Sequence, residues 1–151
     1  MRNSIRKDLQ AALFDIPAAL HDPGGKTMIP LPLGVRGGWV ISSDEKYRYE
    51  LFRVWDKSLP VLMAIGMNPS VATPEYDDPT LYKIRRYAIS WGFGTLLMGN
   101  SFGFRVTDQK RLIEVSDPIG PENDKHLITM AERADMTWND NCCGFFASVS
   151  H

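Results

Sequence analysis

The sequence predicts an α/β fold, a three-layer α/β/α arrangement around a mostly parallel sheet, and three stretches carry that prediction. Pro60-Val61-Leu62-Met63-Ala64-Ile65-Gly66 and Thr95-Leu96-Leu97-Met98-Gly99 are apolar without alternation, as strands covered on both faces are. Between them, LYKIRRYAISW places Leu81, Ile84, Ala88 and Trp91 on one helical stripe. Strand, crossover helix and strand make a βαβ unit, right-handed by strong preference.

The remaining elements follow in chain order. Ile5, Leu9, Leu13 and Ile16 fall on one face of an amphipathic N-terminal helix, which Pro17 and the turn Asp22-Pro23-Gly24-Gly25 bring to an end. Residues 26–38 are rich in Pro and Gly and read as a loop. Gly38 to Ser42, the polar turn at 43–46 and Tyr47 to Trp55 form an antiparallel hairpin, with Tyr47, Tyr49, Leu51, Arg53 and Trp55 on one face. Asp77 or Asp78 caps the central helix, whose first position is Pro79; there the missing N–H costs nothing. Gly92 or Gly94 stops it.

Thr107 or Asp108 caps a short helix over QKRLIEV, and GPEND opens another with Leu127, Ile128, Ala131 and Ala134 as its buried stripe. Met136-Thr137-Trp138 begins a third parallel strand, after which the chain turns polar at Asn139-Asp140-Asn141. No repeat or low-complexity tract interrupts this order, so a single domain over 1–151 is expected.

Composition narrows the function classes. The chain has 151 residues, 44% hydrophobic and 23% charged, enough to bury a core. A formal charge of −1 and a pI near 6.3 argue against a diffuse attraction to nucleic acid, although a local basic patch is compatible with them. Cys142 and Cys143 are adjacent, which fits neither a disulfide framework nor a metal-ligand spacing, and suggests a reducing compartment. The N-terminus carries Asp8 and Asp15 in place of an unbroken apolar segment, and no run is long enough to span a bilayer, so a cytoplasmic location without membrane contact is expected.

Two motifs hold the candidate chemistry. In open α/β sheets ligands bind beyond the carboxyl ends of the strands. MNPS follows the first buried strand and NSFGFR the second, so Asn68, Ser70, Asn100 and Arg105 are expected to converge. Asn68 offers an amide to orient a water or read a polar edge, stiffened by Pro69. Arg105 can grip a phosphate or carboxylate, or serve a structural ion pair. Asp77 and Asp78 are candidates for general base or metal ligand, and capping explains one of them without catalysis. Trp39, Trp55 and Trp91 read as core, and Lys83, Arg85, Arg86, Lys110 and Arg111 as solvated helix faces or a basic rim.

Phosphate-binding Gly-rich loops, the serine elbow and the His-Glu-x-x-His zinc motif are absent, and His21, His126 and His151 have no ligand spacing. No cofactor and no metal is expected.

KYRYELFRVWD, MNPSVATPEYDDPT, WGFG, NSFGFRVTD and DPIGPEND resemble, in order and over about residues 39–135, the bacterial and phage family called domain of unknown function 1643, which is uncharacterised. A second resemblance suggests chemistry. Gly66-Met67-Asn68-Pro69-Ser70 is similar to the Gly-x-Asn-Pro-Gly turn of mismatch-specific uracil-DNA glycosylases, and Asn100 to Arg105 to their Asn-x-x-x-x-Arg segment. That resemblance implies a uracil-DNA glycosylase-like fold and an Asn68 that positions the attacking water on a flipped base. Ser70 departs from the pattern, and the glycosylases' late His or Ser-Pro loop has no counterpart before His151. The divergence after Thr137 reads as a truncated or frame-shifted C-terminal part.

The expectation is therefore a glycosylase-like hydrolase acting on a nucleobase, a nucleotide or DNA. The alternatives are a non-catalytic module that binds nucleic acid or a nucleotide, and an inactive truncated product. The predicted site has Asn68 and Asp78 as catalytic residues. Met67, Pro69, Ser70, Asp77 and Thr80 from the first motif, with Asn100, Phe102 and Arg105 from the second, would hold the ligand.

Overall fold

The computed structural model describes residues 20–21, 27–139 and 144–147. The predicted N-terminal helix over 5–16, Cys142, Cys143 and His151 lie outside the described residues. The strands are β1 (Leu20–His21), β2 (Thr27–Pro30), β3 (Arg36–Ile41), β4 (Arg48–Val54), β5 (Val61–Gly66), β6 (Tyr76–Asp77), β7 (Thr95–Asn100), β8 (Met136–Asn139) and β9 (Gly144–Ala147). The α-helices are α1 (Pro79–Ser90) and α2 (Asn123–Arg133), and Gln109–Glu114 is a 3-10 helix capped by the Asp108 side chain.

The sheet corrects the predicted architecture. Its order is β3-β4-β7-β5-β8-β9, a mixed sheet of six strands. Only β5 with β7 and β5 with β8 run parallel; β3 with β4, β4 with β7 and β8 with β9 are antiparallel. The expectation of a mostly parallel, three-layer, uracil-DNA glycosylase-like fold is therefore overturned. The physical reason lies in β4. Its Leu51 to Val54 pair directly with Met98 to Thr95 of β7, so the hairpin is built into the sheet and not appended to a parallel one. At the other side β9 folds back on β8, pairing Asn139 with Gly144.

Residues 26–38 also depart from the loop expectation. Thr27–Pro30 forms β2, which pairs with β6 in the register Ile29 to Asp77 and Pro30 to Tyr76 and makes a small second sheet with β1. Pro30 occupies a strand end, where a missing N–H is tolerated.

Alternating residues of the central strands serve opposite faces. On one face Leu62 and Ala64 of β5, Leu96 and Met98 of β7 and Leu51 of β4 meet Leu81, Ile84 and Ala88 of α1. On the other, Met63 and Leu97 meet Met130 and Ala134, with Leu127 and Ala131 packed at the margin. Each fully buried leucine contributes ~1.5–3 kcal/mol. The α2 stripe differs from the predicted one at Ile128, which is 61% exposed; Met130 takes the buried place. Trp91 likewise is 43% exposed at the C-cap of α1, while Trp39 and Trp55 pack against the core.

Candidate functional site

The carboxyl ends of β5 and β7 open into a cleft of about 290 Å³. Gly66, the last residue of β5, leaves room that a side chain would take: a Cβ there would meet the Asn100 Oδ1 and the Met98 Cε, each at 2.9 Å. The MNPS turn is then stitched to the segment after β7. Ser101 N–H donates to Gly66 O at 2.9 Å, Phe102 N–H to Met67 O at 2.8 Å and Val106 N–H to Pro69 O at 3.3 Å.

Those bonds fix Asn68. Its Nδ2 donates to Pro69 O at 2.9 Å and to Val106 O at 2.7 Å, so the amide orientation is set by two carbonyls. Its Oδ1 is buried and has no hydrogen-bond partner among the described residues. Arg85 Nη1 and Asn123 Oδ1 are in the same condition away from the cleft, so what sets Asn68 apart is that its residue also lines the cleft, where a water or ligand group could donate to it.

Adjacent Asp77 and Asp78 have separate fates. Asp77 is fully buried between guanidiniums, with Arg53 Nε at 2.9 Å on Oδ1 and Arg85 Nε at 2.7 Å on Oδ2. Arg53 also donates to the carbonyls of Phe52, Thr73 and Tyr76. Burial pushes the Arg53 guanidinium below its usual range, and Asp77 acts against that shift. Asp78 is the N-cap of α1, its Oδ1 accepting from Leu81 N–H at 2.8 Å, and it lines the cleft.

The inner wall holds a residue absent from the sequence-derived set. Arg48 is 3% exposed, donates through Nη1 to Ala72 O at 3.0 Å, and among the described residues has no partner for Nε. Burial pushes its guanidinium down to about 10, opposed by nearby Asp78 and reinforced by Arg105 and Arg53, so it remains charged at neutral pH.

A register shift explains how Arg48 reaches this wall. Val40 opposes Glu50 and Ile41 opposes Arg48, which leaves Tyr49 as an extra residue in β4. Such a bulge re-aims the side chains beside it. Tyr49 stacks on His126 with ring centroids 5.0 Å apart, and Glu50 meets His126 Nδ1 at 2.7 Å, so both lie on the α2 side. Arg48 is thereby turned to the α1 side with Leu51 and Arg53. Strict alternation would place Tyr49 with Leu51, as the hairpin reading did, and that reading is corrected here.

The cleft therefore brings together Met67, Asn68, Ser70, Asp78, Thr80 and Asn100 of the predicted set, and adds Arg48, Thr107 and Gln109. Other predicted residues lie elsewhere. Pro69 is fully buried beneath the turn, Asp77 is enclosed in its ion network, and Phe102 joins the backbone stitching without lining the cleft. Arg105 borders a neighbouring groove of about 520 Å³ that shares Ser70, Val106 and Thr107 with the cleft. Its Nη1 donates to Glu45 O at 3.0 Å, and its guanidinium lies 5.1 Å from the centre of the Trp39 ring.

The visible signal for Arg48 was an arginine in a strand with little polar room on either face. The bulge that aims it has no turn residue to announce it.

Among the described residues no cluster of three or more His, Cys, Asp or Glu side chains is grouped to hold a metal ion. No helix among them is long and apolar enough to cross a membrane. No curated protein and no solved structure matches the chain, and the likeness to uracil-DNA glycosylases has no support from either comparison. The family model described as "Protein of unknown function (DUF1643)" matches residues 48–144, starting at Arg48 and running through the cleft to the first residue of β9, and the chain belongs to this family.

Proposed function

We propose that the protein is a hydrolase of glycosylase type that holds a nucleobase or nucleotide in the Asn68 cleft and cleaves the bond between base and sugar. The observation that carries this reading is the locked Asn68 amide, which commits Nδ2 to backbone and leaves a buried acceptor unpaired. Such an atom costs ~1–3 kcal/mol when nothing donates to it. A water or a ring N–H of a base would satisfy it.

In the hydrolytic role, Oδ1 orients a water and Asp78 accepts its proton. The water oxygen bonds to the anomeric carbon, and the carbon–nitrogen bond breaks with its electron pair leaving on the base. Asn100 and Gln109 supply amides for the polar edges of the base, and Met67, Leu81 and Met98 supply apolar walls. A cleft of about 290 Å³ is at the small end of the ~300–1,000 Å³ of ligand sites, which suits one nucleotide-sized molecule. DNA would be a substrate only through a flipped-out nucleotide.

The test is base release, followed by chromatography, from nucleosides, nucleotides and uracil- or mismatch-containing oligonucleotides. Asn68→Ala should lower the rate by ~100-fold or more. No release from any of these by the unaltered protein would sink the proposal.

A second reading, a non-catalytic binding module for a nucleotide or nucleic acid, is favoured by one observation. Asp78 Oδ1 is already engaged by Leu81 N–H, and among the described residues no second carboxylate lines the cleft. This reading predicts salt-sensitive binding that survives Asn68→Ala, weakens on Arg105→Ala in the adjoining groove, and is accompanied by no turnover.

A further inference from the structure

Among the described residues three arginines are buried on the α1 side of the sheet, and their partners differ. Arg53 and Arg85 share the carboxylate of Asp77. Arg48 is 3% exposed, forms no ion pair with any described residue, and has one protein acceptor, the neutral carbonyl of Ala72. Asp78 acts on Arg48 only from beyond ion-pair distance, and a guanidinium out of water without a directly paired carboxylate is among the more costly arrangements in a folded chain. Arg48 lines the cleft beside the N-terminus of α1, a helix of 12 residues that contributes Asp78, Thr80 and Leu81 to the same wall. A helix N-terminus favours negative charge, and it adds to what the unpaired guanidinium already requires.

We propose that Arg48 is the counter-ion for a phosphate group of the cleft's ligand, so that the ligand is a nucleoside monophosphate and not a bare base or nucleoside. The proposal rests on the reading of the cleft as a nucleobase site for the ligand's other half only. Phosphate suits the position because a guanidinium presents a planar fork of donors, and the orphaned Nε belongs to that fork. Asp78 shares the wall and opposes a second negative charge, so the phosphate is expected on the Arg48 side, with the base toward Asn68. Ser70, Thr80 and Thr107, which also line the cleft, carry hydroxyls suited to the remaining phosphate oxygens.

The experiment compares binding of the common nucleosides, their 5′-monophosphates, inorganic phosphate and a short single-stranded oligonucleotide by calorimetry at constant ionic strength. The proteins are the unaltered chain, Arg48→Met and Arg48→Lys, each checked for a cooperative thermal transition. Met reproduces the unbranched apolar stem of Arg at a similar volume, so the fold should survive the change. The unaltered protein should bind a monophosphate about ten- to a hundredfold more tightly than its nucleoside, the range of a charge-assisted hydrogen bond. Arg48→Met should lose that ratio while still binding the nucleoside, and Arg48→Lys should keep part of it. Equal affinity for nucleoside and monophosphate, or a ratio that persists in Arg48→Met, overturns the phosphate assignment and leaves the hydrolase reading standing. Inorganic phosphate that raises the melting temperature of the unaltered protein and not of Arg48→Met supports the Arg48 assignment even if no nucleoside binds, in which case the nucleobase reading falls instead. An oligonucleotide bound more tightly than every monophosphate overturns the mononucleotide as the source of the phosphate.

Discussion

Asp77 and Asp78 sit side by side before α1, yet one closes a satisfied ionic network and the other borders a cleft whose polar groups remain open. Both are buried, and so are the arginines near them. Asp77 gives one oxygen to each of Arg53 and Arg85, and Arg53 spends its other donors on surrounding carbonyls. Arg85 keeps Nη1 without a partner, but its charge is met by Asp77 and its guanidinium lies 5.6 Å from the Tyr82 ring. In the cleft, Asn68 Oδ1 and Arg48 Nε are both unpaired among the described residues, and none of these residues brings a carboxylate within ion-pair distance of Arg48, Asp78 acting on it from farther away. Burial of charge does not distinguish structure from function here. The ion partner does: Arg53 and Arg85 each have a carboxylate oxygen of Asp77 close by, at 2.9 and 2.7 Å respectively, whereas Arg48 has no carboxylate of the described residues at ion-pair distance.

The largest expected effect tests the satisfied side. Asp77→Asn leaves two guanidiniums buried without their counter-ion and should cost ~3–5 kcal/mol in denaturant unfolding. A loss below ~1 kcal/mol would mean that the network is dispensable, and the contrast with Asp78 would collapse. Gly37→Ala should come next. A Cβ at Gly37 would collide with the carbonyl of Pro74 and come within 2.6 Å of Arg53 Nη1, so it strikes the wall of the same network. Overpacking of this kind costs ~1–3 kcal/mol. The melting temperature should fall while any ligand affinity at Asn68 is unchanged.

How much of this was legible in the sequence depends on the range of the interactions involved. The β5, α1 and β7 segments were readable because apolar runs and a Pro-led cap are local signals, and the cap at Asp78 forms as those signals imply. The mixed sheet was not readable, since the antiparallel pairing of β4 with β7 joins residues more than forty positions apart with no turn between them. That Asn68, Asp78 and Asn100 line one cleft was legible because each stands at a strand end or helix start. Arg105 was placed one groove away from its expected position because NSFGFR leaves the sheet and turns back, Arg105 N–H donating to Lys46 O at 2.8 Å. Arg48 was missed because a single extra residue in β4 reverses the face that alternation assigns.

Arg48→Met sharpens the comparison from the unsatisfied side, and its sign is opposite. Removing one member of the Asp77 network destabilises, whereas replacing a buried guanidinium that lacks a counter-ion by an apolar chain of similar length should be neutral to ~2 kcal/mol stabilising. Urea unfolding with the ligand absent reads this directly. A marked loss of stability would show that the Ala72 carbonyl and the surrounding charges already satisfy Arg48, and the two arginine environments would then be alike.

The smallest effect separates the two duties of Asp78. Its Oδ1 caps α1 through Leu81 N–H, and its carboxylate faces the cleft. For the cap alone, Asp78→Ala should cost ~1 kcal/mol, whereas Asp78→Ser keeps an acceptor for Leu81 N–H and should cost a few tenths, ~0.3 kcal/mol; both variants equally lose the attraction of Asp78 to Arg48. If Asp78 takes the proton of the attacking water, base release should fall by ~100-fold or more in both variants, although only one of them loses the cap. Activity that follows stability, lost with Ala and retained with Ser, would assign Asp78 to the helix alone. In that case the cleft has an oriented amide and an unpaired guanidinium but no base, and the binding-module reading becomes the better account of it.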